Sequence, residues 1–503
     1  MAITNGPNLN VVPASGRQTL STNYLDLNGS GGWAQQYLPD LMEKEAEVFG
    51  PRTISGFLSQ VGAEESMTAD QVIWSEQGRL HLSYKANIDA NNVITIQSDI
   101  DGNNYDAAGI TVQHGIRKND TIVIANATGV YKAIVVSKAD GGGTTGVGAD
   151  ITVAGYDNAT IPTAGATANS ATTVLVYGSE YAKGDNYDGS TSHEANQPAF
   201  KTFSNKPIIL KDYYEVSGSD ASRIGWVETT SEEGASGYMW YLKAEADTRA
   251  RFNDHLEMSM LEGIIGSDNA HTLGAGGSGA ANSVDAHLNY ATGANVGTEG
   301  LFAAIEDRGN LTSGVTGVNA ATDLAEFDAI LAEFDKQGAI EENMMFVNRA
   351  TSLAMDDMLA SMNSYGAGGT SYGVFDNSED MALNLGFSGF RRGSYDFYKS
   401  DFRYLNDLAT RGGINAAAGS SAIRGVIVPA GVSTVYDQQL GQNMKRPFLH
   451  VRYRASQTDD RKMKTWVTGS VGAATSALDA MQIHMLSERC LVTQGANNFM
   501  LMK

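Results

Sequence analysis

A glycine-rich run at residues 274–279 fits the GxGxxG pattern of dinucleotide-binding proteins. That chemistry needs a strand before the run and a helix after it, so that backbone amides point at a pyrophosphate. Here the run follows the end of a predicted helix and is followed by more Gly, Ala and Asn. The composition therefore predicts a low-complexity loop, and we expect no nucleotide cofactor.

Residues 99–110 begin like a calcium-binding loop, in which oxygen ligands alternate along the chain. Asp99 and Asp101 match the first two ligand positions of such a loop. The sixth position, however, is Asn104 instead of Gly, and the twelfth is Ile110 instead of Glu. We therefore interpret this segment as a turn between strands and expect no metal.

Residue groups typical of catalysis are not recognisable in the sequence. The eight histidines are scattered without an HExxH motif, and no GxSxG nucleophile motif is present. Cys490 is the only cysteine, so the chain can form neither an internal disulfide nor a Cys-rich zinc site. We expect a non-enzyme, although the numerous carboxylates leave an acid pair, and hence a carbohydrate hydrolase, open as an alternative.

The length and net charge of the chain further limit the classes of protein to which it can belong. The chain has 503 residues, enough for several domains, and its 35 Lys and Arg against 57 Asp and Glu give a net charge of −22. Such acidity argues against nucleic-acid binding over most of the surface. No stretch approaches about 18 uninterrupted apolar residues and no signal peptide is recognisable, so we expect a cytosolic product without a membrane span.

One stretch of this acidic chain is locally basic and has only Asp459 and Asp460 as acidic members. Two extended strands carry these positive charges, which we expect to meet acidic neighbouring surfaces or to face DNA. A solvated strand face is the alternative. The basic residues are Lys445, Arg446, Arg452, Arg454, Arg461, Lys462 and Lys464.

The longest helical pattern covers residues 238–263, which at 1.5 Å per residue forms a rod of roughly 40 Å. On it, Glu245 with Arg249 and Asp247 with Arg251 have the i,i+4 spacing that favours ion pairs. Apolar residues at three-to-four spacing predict the buried stripe. These residues are Leu242, Ala246, Phe252, Leu256, Met260 and Ile264.

The elements on either side of this helix differ in type. Between residues 87 and 181, short strands alternate with Gly, Asn and Asp turns, which predicts a small barrel or sandwich inserted into the chain. Beyond the helix, residues 324–337 and 349–362 predict helices and residues 425–429 a buried strand, as in an α/β domain. From residue 441 onward we predict only strands, including two separate ones at 480–485 and 490–493.

This order of elements resembles that of the Hong Kong 97-type major capsid protein of tailed bacteriophages, with some resemblance to the crAss-like lineage. The most specific match is FSNKPIILKDYYEVSG at residues 203–218, which resembles one limb of that family's extended loop. It leads into YLKAEADTRARFNDHLEMSMLEG at residues 241–263, which is similar to the family's spine helix. The resemblance implies an α+β fold with an inserted small all-β domain.

The same resemblance implies a division of the chain into an arm, an extended loop with an insertion, a peripheral domain and an axial domain. The implied segments are the N-terminal arm at 1–50, the first limb of the extended loop at 51–86, the inserted β-domain at 87–195, the second limb at 196–236, the spine helix and peripheral domain at 237–300, the axial domain at 301–440 and the peripheral C-terminal strands at 441–503.

By the same resemblance, the protein would assemble in the host cytoplasm into hexamers and pentamers of an icosahedral shell around viral DNA. Its partners would be itself, a separate scaffold protein, portal and decoration proteins, and packaged DNA through weak contacts only. A phage tail or surface adhesion protein is the alternative that the Gly-rich β-region favours. Candidate assembly residues are Glu245, Asp247, Arg249, Arg251, Arg446, Arg452, Arg454 and Lys462.

Overall fold

The structure is a computed structural model in which the chain divides into two compact units. Unit 1 combines Met1–Trp74 with Phe203–Lys503, and unit 2 is Ser75–Thr202. The predicted arm at 1–50 and the run at 274–279 lie outside the described residues. The structure describes residues 56–58, 63–76, 81–100, 104–105, 114–138, 150–158, 160–162, 172–184, 201–219, 228–230, 236–266, 296–362, 389–417, 422–430, 432–437, 442–470 and 475–503.

The first sheet of unit 1 joins strands that are far apart in sequence. With all elements numbered in chain order, its members are β1 (Ala63–Met67), β10 (Ile208–Ser217), β20 (Leu449–Arg454), β21 (Lys464–Gly469) and β22 (Ala480–Thr493). Strand β22 pairs antiparallel with β10, β20 and β21, and β1 extends the sheet parallel to β20.

Strand β22 is continuous, so the prediction of two strands at 480–485 and 490–493 is wrong. The polar residues Ser487, Glu488 and Arg489 between them are all buried and do not interrupt the strand. They are accommodated because groups of β20 and of the turn before β21 satisfy them. The Ser487 hydroxyl donates to the carbonyl of Lys462 at 2.7 Å, for example.

Helix α1 (Met239–Glu262) has close to the predicted length and packs on one face of this sheet. Its Phe252 and Leu256 form a core cluster with Ile483 and Met485 of β22. The predicted stripe is wrong at Ala246, which is exposed, and at Ile264, which lies beyond the helix end and is 72% exposed. The buried residues instead recur mainly at every fourth position from Ala244. Because residues 244 and 246 are both alanine, the sequence does not show which of the two is buried. Among the side chains described from Ala244 to Glu262, the buried ones are Ala244, Thr248, Phe252, Leu256, Met260 and Leu261.

The second sheet of unit 1 has the strand order β13-β23-β17-β14-β16-β15. Helices α3 (Ala320–Gln337) and α4 (Arg349–Met362) contribute Phe327, Phe334 and Met355 to the core on this sheet. Among the described helices, none is long and apolar enough to cross a membrane. The strands are β13 (Asn310–Thr312), β14 (Glu342–Val347), β15 (Gly389–Arg392), β16 (Tyr395–Asp401), β17 (Gly425–Pro429) and β23 (Met500–Met502).

Two results qualify the predicted domain boundaries. Strand β23 belongs to the second sheet, so the segment 441–503 does not lie entirely with β20, β21 and β22. The two sheets also share one core, in which Phe57 packs against Phe346 and Phe402 with ring centroids 4.6 and 4.9 Å away.

The remaining elements of unit 1 are short. They include β11 (Glu228–Thr230) with β12 (Ser236–Tyr238), β18 (Val432–Asp437) with β19 (Gln442–Pro447), and helices α2 (Leu301–Arg308), α5 (Arg403–Asn406) and α6 (Arg411–Asn415). The paired strands β2 (Val72–Glu76) and β9 (Lys201–Asn205) contain the two points at which the chain passes from one unit to the other.

Unit 2 is a closed six-stranded barrel with the strand order β3-β4-β7-β6-β5-β8. Its interior is filled by alternate apolar residues such as Ile94, Ile122 and Val135, all fully buried. The unit covers more of the sequence than the predicted segment 87–195. It includes β3, which pairs with both β4 and β8 and is needed to close the barrel. The strands are β3 (Ser83–Ile88), β4 (Val93–Asp99), β5 (Asp120–Asn126), β6 (Gly129–Lys138), β7 (Asp150–Gly155) and β8 (Thr172–Ser179).

Candidate functional site

The first sheet of unit 1 carries a row of stacked rings on the face opposite α1. Because side chains alternate along a strand, Ile483 and Met485 face α1 while His484 lies on the other face. The register places Trp466 of β21 and Tyr213 of β10 on either side of His484. The Trp466 and His484 ring centroids are 5.2 Å apart, and those of Tyr213 and His484 are 6.0 Å apart, with interplanar angles of 20° and 26°.

This ring row is accessible to solvent in the chain. The exposed fraction is 55% for Tyr213 and 37% for Trp466, and neighbouring Ile209 is 51% exposed. His484 is held in place because its Nε2 lies 2.7 Å from the hydroxyl of Thr468. Lys211 and Lys464 both lie opposite Leu486, two residues along from the rings and on the same side of the row, and the Lys464 Nζ pairs with Asp459 at 2.6 Å. We call this surface, formed by Ile209, Lys211, Tyr213, Lys464, Trp466 and His484, the ring face.

Near one end of the same sheet, basic residues predicted from the sequence meet acidic residues of the same chain. Arg452 pairs with Glu65 at 2.7 Å across the β1–β20 ladder. Arg454 pairs with Glu488 at 2.7 Å and also contacts Asp70. The positive charges at these two positions are therefore compensated within the subunit.

The turn before β21 continues this ion-pair cluster. Arg461 pairs with buried Glu488 at 3.0 Å, and Lys462 contacts Glu64. The Lys462 Nζ also lies 5.3 Å from the centroid of the Tyr453 ring. The sequence-based expectations for these basic residues are acidic neighbouring surfaces, DNA or a solvated strand face. None of them includes compensation within the chain, because the acids come mainly from β1 and β22.

Arg489 is the buried member of the cluster, only 8% exposed. Its Nε donates to the Ser487 hydroxyl at 2.8 Å and its Nη2 to the carbonyl of Lys462 at 2.9 Å. Burial lowers the pKa of the Arg489 guanidinium, and the nearby carboxylates of Glu64 and Glu257 oppose that effect. The group therefore anchors the turn at Lys462 to the centre of the sheet.

Glu257 of α1 joins the segment at residues 56–58 to this region. Its carboxylate accepts hydrogen bonds from the backbone N–H groups of Gly56 at 2.5 Å and of Phe57 at 3.2 Å. Burial raises the pKa of Glu257, and these two hydrogen bonds partly counteract the rise. The carboxylate thus fixes the backbone that inserts Phe57 into the core.

The candidate residues on α1 make different contacts. Glu245 and Arg249 form the predicted i,i+4 ion pair, with 3.2 Å between Oε1 and Nη2. The guanidinium of Arg251 binds Asp212 of β10 through contacts of 2.8 to 3.1 Å and so ties the helix to the sheet. Asp247 lies half-buried on the same helix. Arg446 belongs to β19, and its side chain is outside the described residues.

The ring face was not recognised from the sequence. A signal existed, because the two-residue spacing of a strand puts Trp466 on the same face as Lys464 and Thr468, and Tyr213 on the same face as Lys211. Combining the three rings, however, requires knowing that β10 and β21 flank β22. That pairing has no local signature in the chain.

The ring face consists of aromatic, imidazole, aliphatic and lysine side chains. Within the described residues, no group of three or more His, Cys, Asp or Glu side chains is arranged to hold a metal ion. Cys490 is buried in β22, and burial raises the pKa of its thiol to about 12, which leaves it without thiolate character. Residues 101–103 of the calcium-like loop lie outside the described part of the chain.

Comparison with known proteins gives similarity only at the level of solved structures. No protein-family model and no curated protein matches the chain. A chain from Microbacterium phage Oxtober96 is 9% identical, with 95% of this chain and 99% of that one covered at a TM-score of 0.37. The capsid structure of cyanophage P-SCSP1u is 8% identical over 97% and 98% of the two chains at 0.36. The mature capsid of bacteriophage PhiM1 is 9% identical over 64% and 78% at 0.30. Identities and TM-scores this low do not establish a family.

Proposed function

We propose that the protein is a major capsid protein of the Hong Kong 97 type, which self-assembles into hexamers and pentamers of a shell around viral DNA. The observation that carries this proposal is the ring face. A well-packed sheet that is covered by α1 on one side and exposes Tyr213, Trp466 and Ile209 on the other has the composition of a protein contact surface.

The partner that best fits the ring face is a second copy of the chain. Lys211 puts a positive charge beside the rings, whereas Lys464 is already paired with Asp459 at 2.6 Å and the whole chain carries a net charge of −22. An acidic surface of another copy therefore complements this face electrostatically. Repetition of one such heterologous contact generates rings, and rings of one subunit can tile a closed shell.

Weak contact with packaged DNA is part of the same proposal. Arg452, Arg454 and Lys462 would bind phosphate strongly if they were unpaired, but acidic residues of the same chain contact all three. A container that must later release its DNA benefits from walls that do not hold the phosphate backbone tightly. Scaffold, portal and decoration proteins would act as further partners.

Electron microscopy of the purified protein under assembly conditions tests this function. We expect shells or capsomers from the wild type, and monomers with unchanged circular dichroism from the double variant Trp466→Ser with Tyr213→Ser. Tyr398→Ser is the matched control, because Tyr398 is 52% exposed on β16 of the second sheet. A wild-type protein that stays a compact monomer in every assembly condition would contradict the proposal, and trimeric fibres would favour an adhesion protein.

A further inference from the structure

The barrel of unit 2 has a cleft at one end, where β3 and β5 begin and β8 ends. The register places the start of β5 at the end of β8, since Asp120 lies opposite Ser179, whereas β3 begins opposite Leu175 and the residues before it, His81 and Leu82, line the cleft. The cleft has a volume of about 480 Å³, within the range of roughly 300–1,000 Å³ that is typical of small-molecule sites. Polar side chains converge on it from three segments, namely His81, Tyr84, Arg117 and Asp120 together with Tyr177 and Ser179.

The floor of the cleft is closely packed. Tyr84 is only 4% exposed, and its hydroxyl accepts a hydrogen bond from the N–H of Gly115 at 2.9 Å. Behind it, the rings of Tyr84, Tyr105 and His114 meet edge to face, with centroids 5.9 to 6.3 Å apart. Tyr105 in turn donates to the buried carboxylate of Asp99 at 2.9 Å. A site with such a floor needs little reorganisation to bind a ligand.

The segment that enters β5 supplies groups of both charges. Asp120 is 6% exposed, and its Oδ2 accepts a hydrogen bond from the backbone N–H of Arg117 at 2.8 Å. Arg117 and Asp120 both line the cleft. Burial and the nearby carboxylates of Asp99 and Asp120 raise the pKa of the Tyr84 hydroxyl, whereas Arg117 lowers it. This hydroxyl stays protonated and can donate as well as accept.

A β-bulge places an aromatic ring at the rim. Thr121 and Ile122 of β5 pair with Gly178 and Val176 of β8, which leaves Tyr177 as the extra residue. Bulges at barrel rims redirect a side chain. Tyr177 is 52% exposed and lines the cleft, and Lys132 Nζ lies 6.0 Å from the centroid of its ring.

The charges of the groups that line the cleft determine which kind of ligand fits it. A purely anionic ligand would meet the carboxylate of Asp120, and a purely cationic one would meet Arg117. A neutral ligand with many hydroxyl groups satisfies both, because each hydroxyl can donate to a carboxylate and accept from a guanidinium or imidazole. The exposed Tyr177 ring then covers the C–H face of such a ligand.

We propose that this cleft of unit 2 binds a neutral carbohydrate, with Arg117 and Asp120 contacting its hydroxyl groups and Tyr177 packing against a sugar ring. This inference is independent of shell formation, because every residue that carries it belongs to unit 2.

An array of immobilised glycans, probed with the full-length protein, tests this proposal. The array should hold neutral glycans ending in glucose, galactose, mannose or N-acetylglucosamine, together with sialylated and phosphorylated ones. Tyr177→Ala removes the ring at the rim. Tyr156→Ala is the matched control, because Tyr156 is a tyrosine of the same barrel, 49% exposed, that does not line the cleft.

We expect saturable binding to at least one neutral glycan, weakened about tenfold by Tyr177→Ala and changed less than about twofold by Tyr156→Ala. Thermal melting of both variants should match that of the wild type, since both side chains are exposed. The proposal is overturned by binding to charged glycans alone, by no binding to any neutral glycan, or by equal losses in the two variants. Electron microscopy of the same sample reports separately on shell formation.

Discussion

At the scale of single residues, Glu257 has an unusual position, because one carboxylate fixes a chain segment about 200 residues away. It accepts the N–H groups of Gly56 and Phe57, and the Phe57 ring packs between Phe346 and Phe402 in the core shared by the two sheets of unit 1. Burial of this carboxylate raises its pKa. Its protonation is consequently linked to folding.

The pH dependence of stability tests this linkage. Because the folded-state pKa of Glu257 lies above the unfolded value of 4.5, its contribution to stability is full below 4.5 and is lost as the pH rises through the raised pKa. We expect the free energy of unfolding of the wild type, relative to Glu257→Gln, to increase as the pH falls from neutral toward 4.5. Urea unfolding of both proteins across that range measures the difference, and a constant or opposite difference would disprove the linkage.

Cys490 provides a second prediction at this scale. The thiol is fully buried, and burial raises its pKa to about 12, so that almost no thiolate forms at pH 8. We expect the native protein to react with an aromatic disulfide reagent far more slowly than the same protein in urea. The absorbance of the released thiolate gives the rate, and similar rates in both states would show that Cys490 is accessible.

At the scale of elements, α1 and α2 approach each other through glycine. A Cβ atom added at Gly300 would lie 2.6 Å from the backbone nitrogen of Gly263 and 2.8 Å from the carbonyl oxygen of Met260. The three nearest atoms are all backbone atoms at the end of α1, so no flexible side chain could move aside. The close contact between the end of α1 and the start of α2 therefore depends on this residue having no side chain.

We accordingly expect Gly300→Ala to lower the free energy of unfolding by about 1–3 kcal/mol. Gly389→Ala is the matched control, because a Cβ there would meet its nearest neighbours at an ordinary 3.6 Å, and we expect a change within about 0.5 kcal/mol. Denaturant unfolding of the two variants gives both values. Equal effects would show that the helices can move apart at little cost.

The sequence predicts elements of this fold better than their pairing. Helix 349–362 and strand 425–429 have the predicted bounds, and α1 differs from its prediction by one residue at each end. These elements have strong local periodicity or a purely apolar run. The ring face and the ion-pair cluster, in contrast, depend on contacts such as Glu65 with Arg452, and no local pattern encodes which distant strand supplies the partner.

At the scale of the whole molecule, the sequence of unit 1 is interrupted by unit 2. Side chains of unit 1 nevertheless contact one another across the interruption. The rings of Trp74 and Phe203 lie 6.2 Å apart. The guanidinium of Arg308 from α2 lies over both rings, 5.8 and 4.5 Å from their centroids. These three side chains connect the two chain segments without any residue of unit 2.

Replacing residues 77–200 by a short Gly/Ser linker should therefore leave unit 1 folded. We expect the circular dichroism of the shortened chain to equal that of the full chain minus a β contribution, with a single cooperative unfolding transition. Loss of cooperativity would mean that unit 1 depends on unit 2. Trp74→Ala in the shortened chain is the companion variant, and we expect it to lower the midpoint of unfolding.

The register of the first sheet also sets an order of events during translation. Its central strand β22 ends at Thr493, so β1 and β10 are synthesised long before their sheet can form. The six strands of the barrel, by contrast, are complete once Ser179 has left the ribosome. A nascent chain can therefore carry a finished barrel while Tyr213 still lacks both strands that complete its ring row. Neighbouring nascent chains on one messenger RNA would then be unable to engage one another through a surface that does not yet exist.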